Sequence, residues 1–387
     1  MPVTPVTALE ALLVRDWAAD QAVRLQSIRS RLDGRDRAVV FGAGPLGTIV
    51  VARLADVGVS TVAYADNDSA RWRDRLDGVP VMSPEGAAAR FGDAVLWVIA
   101  VYTNGPVREQ CRSLGVPFVT HAELCWARPG ALLPFYALDL PEHVLSAAPA
   151  VREAAGLWAD DESRREYRGQ IEWRLSLDYD ALPAHREPAG LYFPEELVAL
   201  RSDETFVDCG AFTGDTVEEL LARTGGRFAR IVAIEPDPHN ARRLTTRLAR
   251  LRRLHGGPIV VRRTAIGATT GRVSFDDAGT VASSLGGGPA TVAVAPLDDI
   301  LAGVTPTYVK VDVEGGERDL LMGATRVLRS RPQPVLAVCL YHRPDDLWEI
   351  PRLIHAIAPG YRLYLRRYSD ECWESVCYAV PPGRRVA

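Results

Sequence analysis

The sequence predicts an α/β protein with two successive parallel-sheet units joined by a helical connector. Two observations carry this. Short apolar runs of strand length alternate with stretches of helical periodicity twice along the chain. Each alternating stretch opens on a strand that ends in a glycine-rich turn, Gly42-x-Gly44-x-x-Gly47 in the first and Gly210 with Gly214 in the second. Strands that alternate with helices form parallel sheets through right-handed crossovers. The 387 residues give room for two cores, and a composition 47% hydrophobic and 24% charged is that of an ordinary globular protein.

The elements follow in order. Residues 7–33 read as one helix, since Leu9, Leu12, Leu13, Trp17, Leu25, Ile28 and Leu32 recur at three- and four-residue spacing. Residues 1–35 are therefore an amino-terminal helix whose apolar face packs on a neighbouring domain or on a second copy of the chain. The first α/β domain, 36–126, has strands at 38–41, 61–65, 94–100 and 117–120, with helices after Gly47 and near 105–114. Residues 127–200 lack strand alternation and read as a helical connector that packs across the opening of the second domain and could act as a lid. The second domain, 201–387, has strands at 205–209, 230–235, 259–264, 307–312 and 334–341. Helices at 214–223, 238–254, 317–329 and 346–357 lie between them. A hairpin pairs 271–276 with 291–295 around Gly286–Gly288, and a closing hairpin pairs 361–366 with 374–380.

Charge and composition exclude several function classes. A net charge of −4 argues against nucleic acid as a partner, because phosphate binding needs a basic face. The pairs Arg242-Arg243, Arg252-Arg253 and Arg262-Arg263 fall at helix and strand positions expected to face solvent. Six cysteines without C-x-x-C or zinc spacing, and no secretory signal, predict reduced thiols and a cytoplasmic protein. No apolar run approaches membrane-spanning length, so no membrane partner is expected.

The first glycine turn follows a strand and opens a helix, and Asp66 closes the next strand. That is the layout of a dinucleotide site, in which glycines admit a pyrophosphate and the acid holds ribose hydroxyls. Pro45 inside the turn and the lack of a hydride-transfer group count against it. An NAD(P)-dependent enzyme, or a nucleotide-sugar-binding module, is thus the alternative reading. A non-enzymatic sensor that keeps both pockets without an acid–base group is a third.

The second turn, VDCGAFTGDT at 207–216, has a different glycine spacing, and Glu235 ends the following strand, where a carboxylate can accept from both ribose hydroxyls. This turn, AIEPDP at 233–238 and VKVDVEGGE at 309–317 resemble, in order and spacing, the FkbM-type methyltransferases, and the resemblance covers about 200–380. It implies a C-terminal seven-strand class I methyltransferase sheet preceded by a smaller Rossmann-like α/β domain. It also implies S-adenosyl-L-methionine as cofactor and methyl transfer, mostly to oxygen, on a sugar or secondary metabolite. By the same resemblance the cofactor residues are Asp208, Gly210, Phe212, Gly214, Asp215, Thr216, Glu235 and Asp237, with Asp208 orienting the cofactor's ammonium.

The catalytic candidates come from the strand at 307–312. Lys310 is the only lysine among 45 Lys+Arg residues, which points to a position that needs a compact ammonium. Alternation places Lys310, Asp312 and Glu314 on one face if the strand runs that far. His342 ends the neighbouring strand. His342 or Asp312 is expected to act as general base, with Lys310 lowering the acceptor's pKa or holding Asp312 ionised. Asp312, Glu314 and His342 are chemically suitable ligands for a divalent metal, but their spacing carries no signature and no metal is predicted. Glu317 reads as a helix-start acid that favours the dipole, and Asp298-Asp299 as the start of a helical turn. Tyr192, Phe193 and Phe212 are candidates for stacking, and Ser283-Ser284 for reaching the acceptor, a small molecule.

Overall fold

The computed structural model describes residues 5–275 and 290–384. The glycines 286–288 and Ser283-Ser284 lie outside the described residues. The chain forms two compact units, each built from three separate stretches of sequence. One comprises Met1–Ala148, Arg168–His185 and Ser369–Trp373, and the other Pro149–Tyr167, Arg186–Tyr368 and Glu374–Ala387. Consecutive segments with a connector at 127–200 were expected; instead that stretch is divided between the units, and helix Asp161–Ser176 crosses the division.

The first unit holds β1 (Arg37–Phe41), β2 (Ser60–Ala65), β3 (Arg75–Leu76), β4 (Val79–Met82), β5 (Leu96–Ile99) and β6 (Phe118–Thr120) in the order β3-β4-β2-β1-β5-β6. All neighbours are parallel except β3 with β4. Val39, Phe41, Trp97 and Ile99 fill its core. The β3–β4 hairpin and helix Pro84–Phe91 are additions to the expected elements. Residues 7–33 are not one helix: Pro5–Val14 and Ala18–Leu32 are separated at 15–17. There the Asp16 carboxylate accepts from the Ala18 amide, and the buried Trp17 indole donates to the Leu12 carbonyl at 2.8 Å. Both bonds compete with the helical ladder.

The second unit holds β7 (Thr205–Cys209), β8 (Arg230–Ile234), β9 (Ile259–Arg262), β10 (Ala265–Ile266), β11 (Gly271–Phe275), β12 (Ala290–Ala295), β13 (Tyr308–Val311), β14 (Val335–Cys339), β15 (Arg362–Arg367) and β16 (Ser375–Val380). Seven of these form one sheet in the order β15-β16-β14-β13-β7-β8-β9, and β10, β12 and β11 form a small separate one. The seven-strand sheet is parallel except where β16 pairs with β14 and β15. β13 and β14 are buried throughout, as expected of parallel strands covered on both faces. Strand order reverses between β7 and β13, and ligands of open α/β sheets bind at the carboxyl ends beside such a reversal. The expected helix 317–329 is two, Glu317–Met322 and Thr325–Leu328. They part at Gly323, where a Cβ would lie 2.2 Å from the Gly267 carbonyl oxygen.

Among the described residues no helix is long and apolar enough to cross a membrane. All six cysteines are buried and free of disulfides. The three arginine pairs are exposed, as their positions predicted.

Candidate functional site

The site begins with strand register. β13 and β7 align Lys310 with Asp208 and Val311 with Cys209. Lys310 Nζ therefore lies 3.2 Å from Asp208 Oδ1, and it donates to the Gly210 carbonyl at 2.6 Å. Asp312 Oδ2 is 3.6 Å away. Both members of the central pair are buried, which suits an ammonium packed between two strands better than a broad guanidinium. Burial pulls the Lys310 pKa down, but Asp208 and Asp312 more than offset this, and the net shift is upward. Burial pushes Asp208 up to about 6, against the pull of Lys310.

The glycine turn lies directly above this pair. Gly210 has φ +80°, and a Cβ there would sit 1.7 Å from the Asp312 carbonyl oxygen, so the two strand ends touch backbone to backbone. Phe212, a non-glycine residue, takes φ +44°. Gly214 then caps helix Asp215–Arg223, with Asp215 exposed and Thr216 buried in its first turn. Glu235, just past β8, binds the turn: its Oε2 accepts from the Phe212 amide at 2.8 Å and its Oε1 from the Asp237 amide at 2.9 Å. Each oxygen keeps acceptor capacity for a hydroxyl. Burial lifts its pKa to about 7, although the two amides pull it down.

Two expected cofactor residues are placed differently. Asp208 is fully buried against Lys310 rather than presented at the surface of the turn. Asp237 Oδ1 accepts from the amides of His239 at 2.7 Å and Asn240 at 2.8 Å, which makes it the N-cap of helix Pro238–His255.

Beyond β13 the expected alternation stops, because the strand ends at Val311. Glu314 joins the cluster by another route, a left-handed turn with φ +52°. His342, three residues after β14, meets it there. Its Nε2 is 3.3 Å from Asp312 Oδ1 and 3.8 Å from Glu314 Oε2. Its Nδ1 is 2.8 Å from Glu317 Oε1, which also accepts from the Val313 amide at 2.9 Å. Burial works against the imidazolium, yet Glu317 and Glu314 raise the His342 pKa to about 10. Burial lifts Asp312 while Lys310 and His342 lower it, for a net downward shift. Glu314 is pushed up to about 8, chiefly by burial. The ligand-type atoms of Asp312, Glu314 and His342 all lie within 4.8 Å of one another.

All four catalytic candidates thus converge. Sequence reasoning assigned Tyr192 to stacking; its hydroxyl donates to Asp312 Oδ2 at 2.8 Å, while its ring centroid is 5.1 Å from Lys310 Nζ. Glu317 is the partner of His342 as well as a helix-start acid. Glu374, at the end of the closing hairpin's turn, was missed. Burial, with Asp312 next, raises its pKa to about 7. No sequence signal marks Glu374, since its relation to Asp312 depends on how β16 returns to β14.

The first glycine turn is built differently. Asp66 Oδ2 accepts from the Ala43 amide at 2.7 Å and Oδ1 from the Asp68 amide at 2.8 Å. The acid expected to hold a ribose thus binds the turn itself.

A seven-strand α/β sheet with this order, and a turn and acid pair at its reversal, define a domain of the methyltransferase kind. The family model agrees. Residues 208–369 match the family model described as the methyltransferase FkbM domain, and this part of the chain is an FkbM-type methyltransferase domain, as the motifs implied. The chain is 27% identical to the crystal structure of methyltransferase FkbM from Methylobacillus flagellatus KT, with a TM-score of 0.71 over 97% of this chain and 98% of that one. A stretch of 96 residues is 34% identical to UDP-N-acetylmuramoylalanine--D-glutamate ligase of Corynebacterium efficiens. It spans 24% of this chain and only 20% of that ligase. Aeropyrum pernix fibrillarin, solved with bound S-adenosyl-L-methionine, is 15% identical over 50% of this chain and 75% of that one, with a TM-score of 0.31.

Proposed function

We propose that the protein is an S-adenosyl-L-methionine-dependent O-methyltransferase that acts on a hydroxyl of a sugar or secondary metabolite. The observation that carries this is Glu235, a carboxylate at a strand end, bonded to the Phe212 amide of the glycine turn and able to accept further hydroxyls. In this reading Glu235 holds the ribose of the methyl donor, and the turn 210–216 takes its methionine portion. Asp208, buried and 3.2 Å from the Lys310 ammonium, is the acid beneath that portion, balanced by Lys310.

The transfer moves a methyl group from sulfonium sulfur to the acceptor oxygen. The S–C bond breaks with its electron pair going to sulfur, the O–C bond forms, and the hydroxyl proton must leave. A histidine whose pKa stands near 10 already carries its proton at neutral pH, so His342 in this state is no base. Asp312 is the group left to receive the proton. Lys310 keeps it ionised, and Tyr192 fixes its orientation.

Calorimetric titration with S-adenosylhomocysteine, and separately with NADH, tests the reading. Binding of S-adenosylhomocysteine that Glu235→Ala abolishes is the expected result. Binding of NADH alone would move the chemistry to Gly42–Gly47 and end this proposal.

A further inference from the structure

Three electron-pair donors from two segments, the turn after β13 and the one after β14, meet in the second unit. Glu317 can only accept, so the 2.8 Å contact requires His342 Nδ1 to donate. In the neutral ring Nε2 then presents its lone pair towards Asp312 Oδ1 and Glu314 Oε2. An imidazole held by a carboxylate on one nitrogen, with its other nitrogen turned towards further ligand oxygens, is the usual arrangement around a metal-binding histidine. The other oxygen of Asp312 is engaged by Tyr192 and Lys310, which fixes which oxygen faces the cluster.

The distances suit a small cation. Neighbouring ligands of an octahedral ion at ~2.1 Å stand about 3 Å apart. The separations from Nε2 are 3.3 and 3.8 Å, so closure on an ion needs shifts of a fraction of an ångström to about one. Oxygen donors surround the ring: Asp312 and Glu314 face its Nε2, and Glu317 backs its Nδ1. Two carboxylates and one imidazole suit a hard or borderline divalent ion rather than a soft one.

We propose that Asp312, Glu314 and His342 form a divalent-cation site of the Mg2+/Mn2+ class, in which the cation takes the acceptor hydroxyl. The cation's use in catalysis rests on the methyltransferase reading, but its binding does not. A bound hydroxyl has a lowered pKa, so its proton can leave to solvent, and Asp312 and His342 then act as ligands to the cation rather than as bases.

The test uses the full chain and MnCl2 alone, with free Mn2+ read by electron paramagnetic resonance. S-adenosylhomocysteine binding is measured on the same samples. One Mn2+ per chain is expected, with affinity reduced at least about tenfold both by Glu314→Gln and by His342→Ala. Retained S-adenosylhomocysteine binding and an unchanged circular dichroism spectrum show that each variant is folded. Glu314→Gln, on a half-buried turn residue, is the milder change should His342→Ala fail to fold. No Mn2+ uptake by the native chain at millimolar concentration, or uptake unaffected by either substitution, overturns the site. Mn2+ uptake lost in the variants while the native chain ignores S-adenosylhomocysteine would uphold the cation site and sink the methyltransferase reading.

Discussion

Lysine occurs once in this chain, and its neighbours explain why. The Lys310 ammonium is bounded by the Gly210 carbonyl and by Asp208 and Asp312, all within 3.6 Å. A guanidinium would need a planar fork of acceptors that two adjacent parallel strands do not provide. Removing one partner of a buried pair strands the other charge, which typically costs ~3–5 kcal/mol. Lys310→Met is therefore expected to lower stability by about that amount in urea unfolding. Asp208→Asn in the same background should recover part of the loss, and Lys310→Arg should not restore native stability. A Lys310→Met protein within ~0.5 kcal/mol of native would show that the pair is not what holds the two strand ends together.

Helix Pro238–His255 shows what an element asks of its own residues. The motif AIEPDP contains two acids two residues apart, and sequence reasoning gave both to the cofactor. The structure divides them: Glu235 faces the glycine turn, and Asp237 caps the helix through two amides. Asp237→Ala should cost ~1 kcal/mol and lower Tm by a few degrees, with S-adenosylhomocysteine affinity little changed. Equal loss of affinity in Asp237→Ala and Glu235→Ala would return both acids to the cofactor. The strands of the seven-strand sheet were legible because parallel strands buried on both faces read as continuous apolar runs. The β3–β4 hairpin was not read, although Asp77-Gly78 between two short extended runs is a recognised two-residue hairpin signal. Its strands are too short to show alternation. In the site, Lys310 and Asp312 were legible from strand spacing. Glu314 reached the cluster only through a positive φ that the alternation rule does not contain, and Tyr192's hydroxyl contact depends on tertiary packing.

At the scale of the whole molecule, buried carboxylates tie stability to pH, and the first unit gives the cleanest case. Glu371 is buried with φ +59°. Its Oε1 accepts from the Tyr179 hydroxyl at 2.6 Å and from Asn104 Nδ2 at 3.1 Å, and its Oε2 accepts from Trp373 Nε1 at 3.0 Å. Burial pushes its pKa up to about 7; the bonds from Tyr179 and Trp373 and the charge of Arg108 pull it down, while Asp370 adds to the rise. Tyr179 also touches Thr120, whose turn carries Glu123 paired with Arg31. Between the ordinary carboxyl value of 4.5 and about 7, the folded protein holds a proton that the unfolded chain has released. Folding takes up that proton, so this stabilisation is fully present below 4.5 and is lost as pH rises through 7. The upper bound is on the order of 3 kcal/mol. His121 in the same unit acts oppositely: burial, with Arg53, lowers its pKa to about 3, so its stabilisation is lost as pH falls below 6.5. A comparison with Glu371→Gln at each pH cancels the histidine. The variant keeps the size, loses one acceptor to the same extent at every pH, and has no charge to bury, so its stability relative to native should rise steadily from pH 5 to pH 8. Hydrogen exchange of the β1 and β5 amides reads the opening of this unit directly, and the native-to-variant ratio at fixed pH removes the intrinsic exchange rate. A ratio independent of pH would mean that Glu371 folds already ionised, with Asn104, Tyr179 and Trp373 as sufficient solvation for its charge.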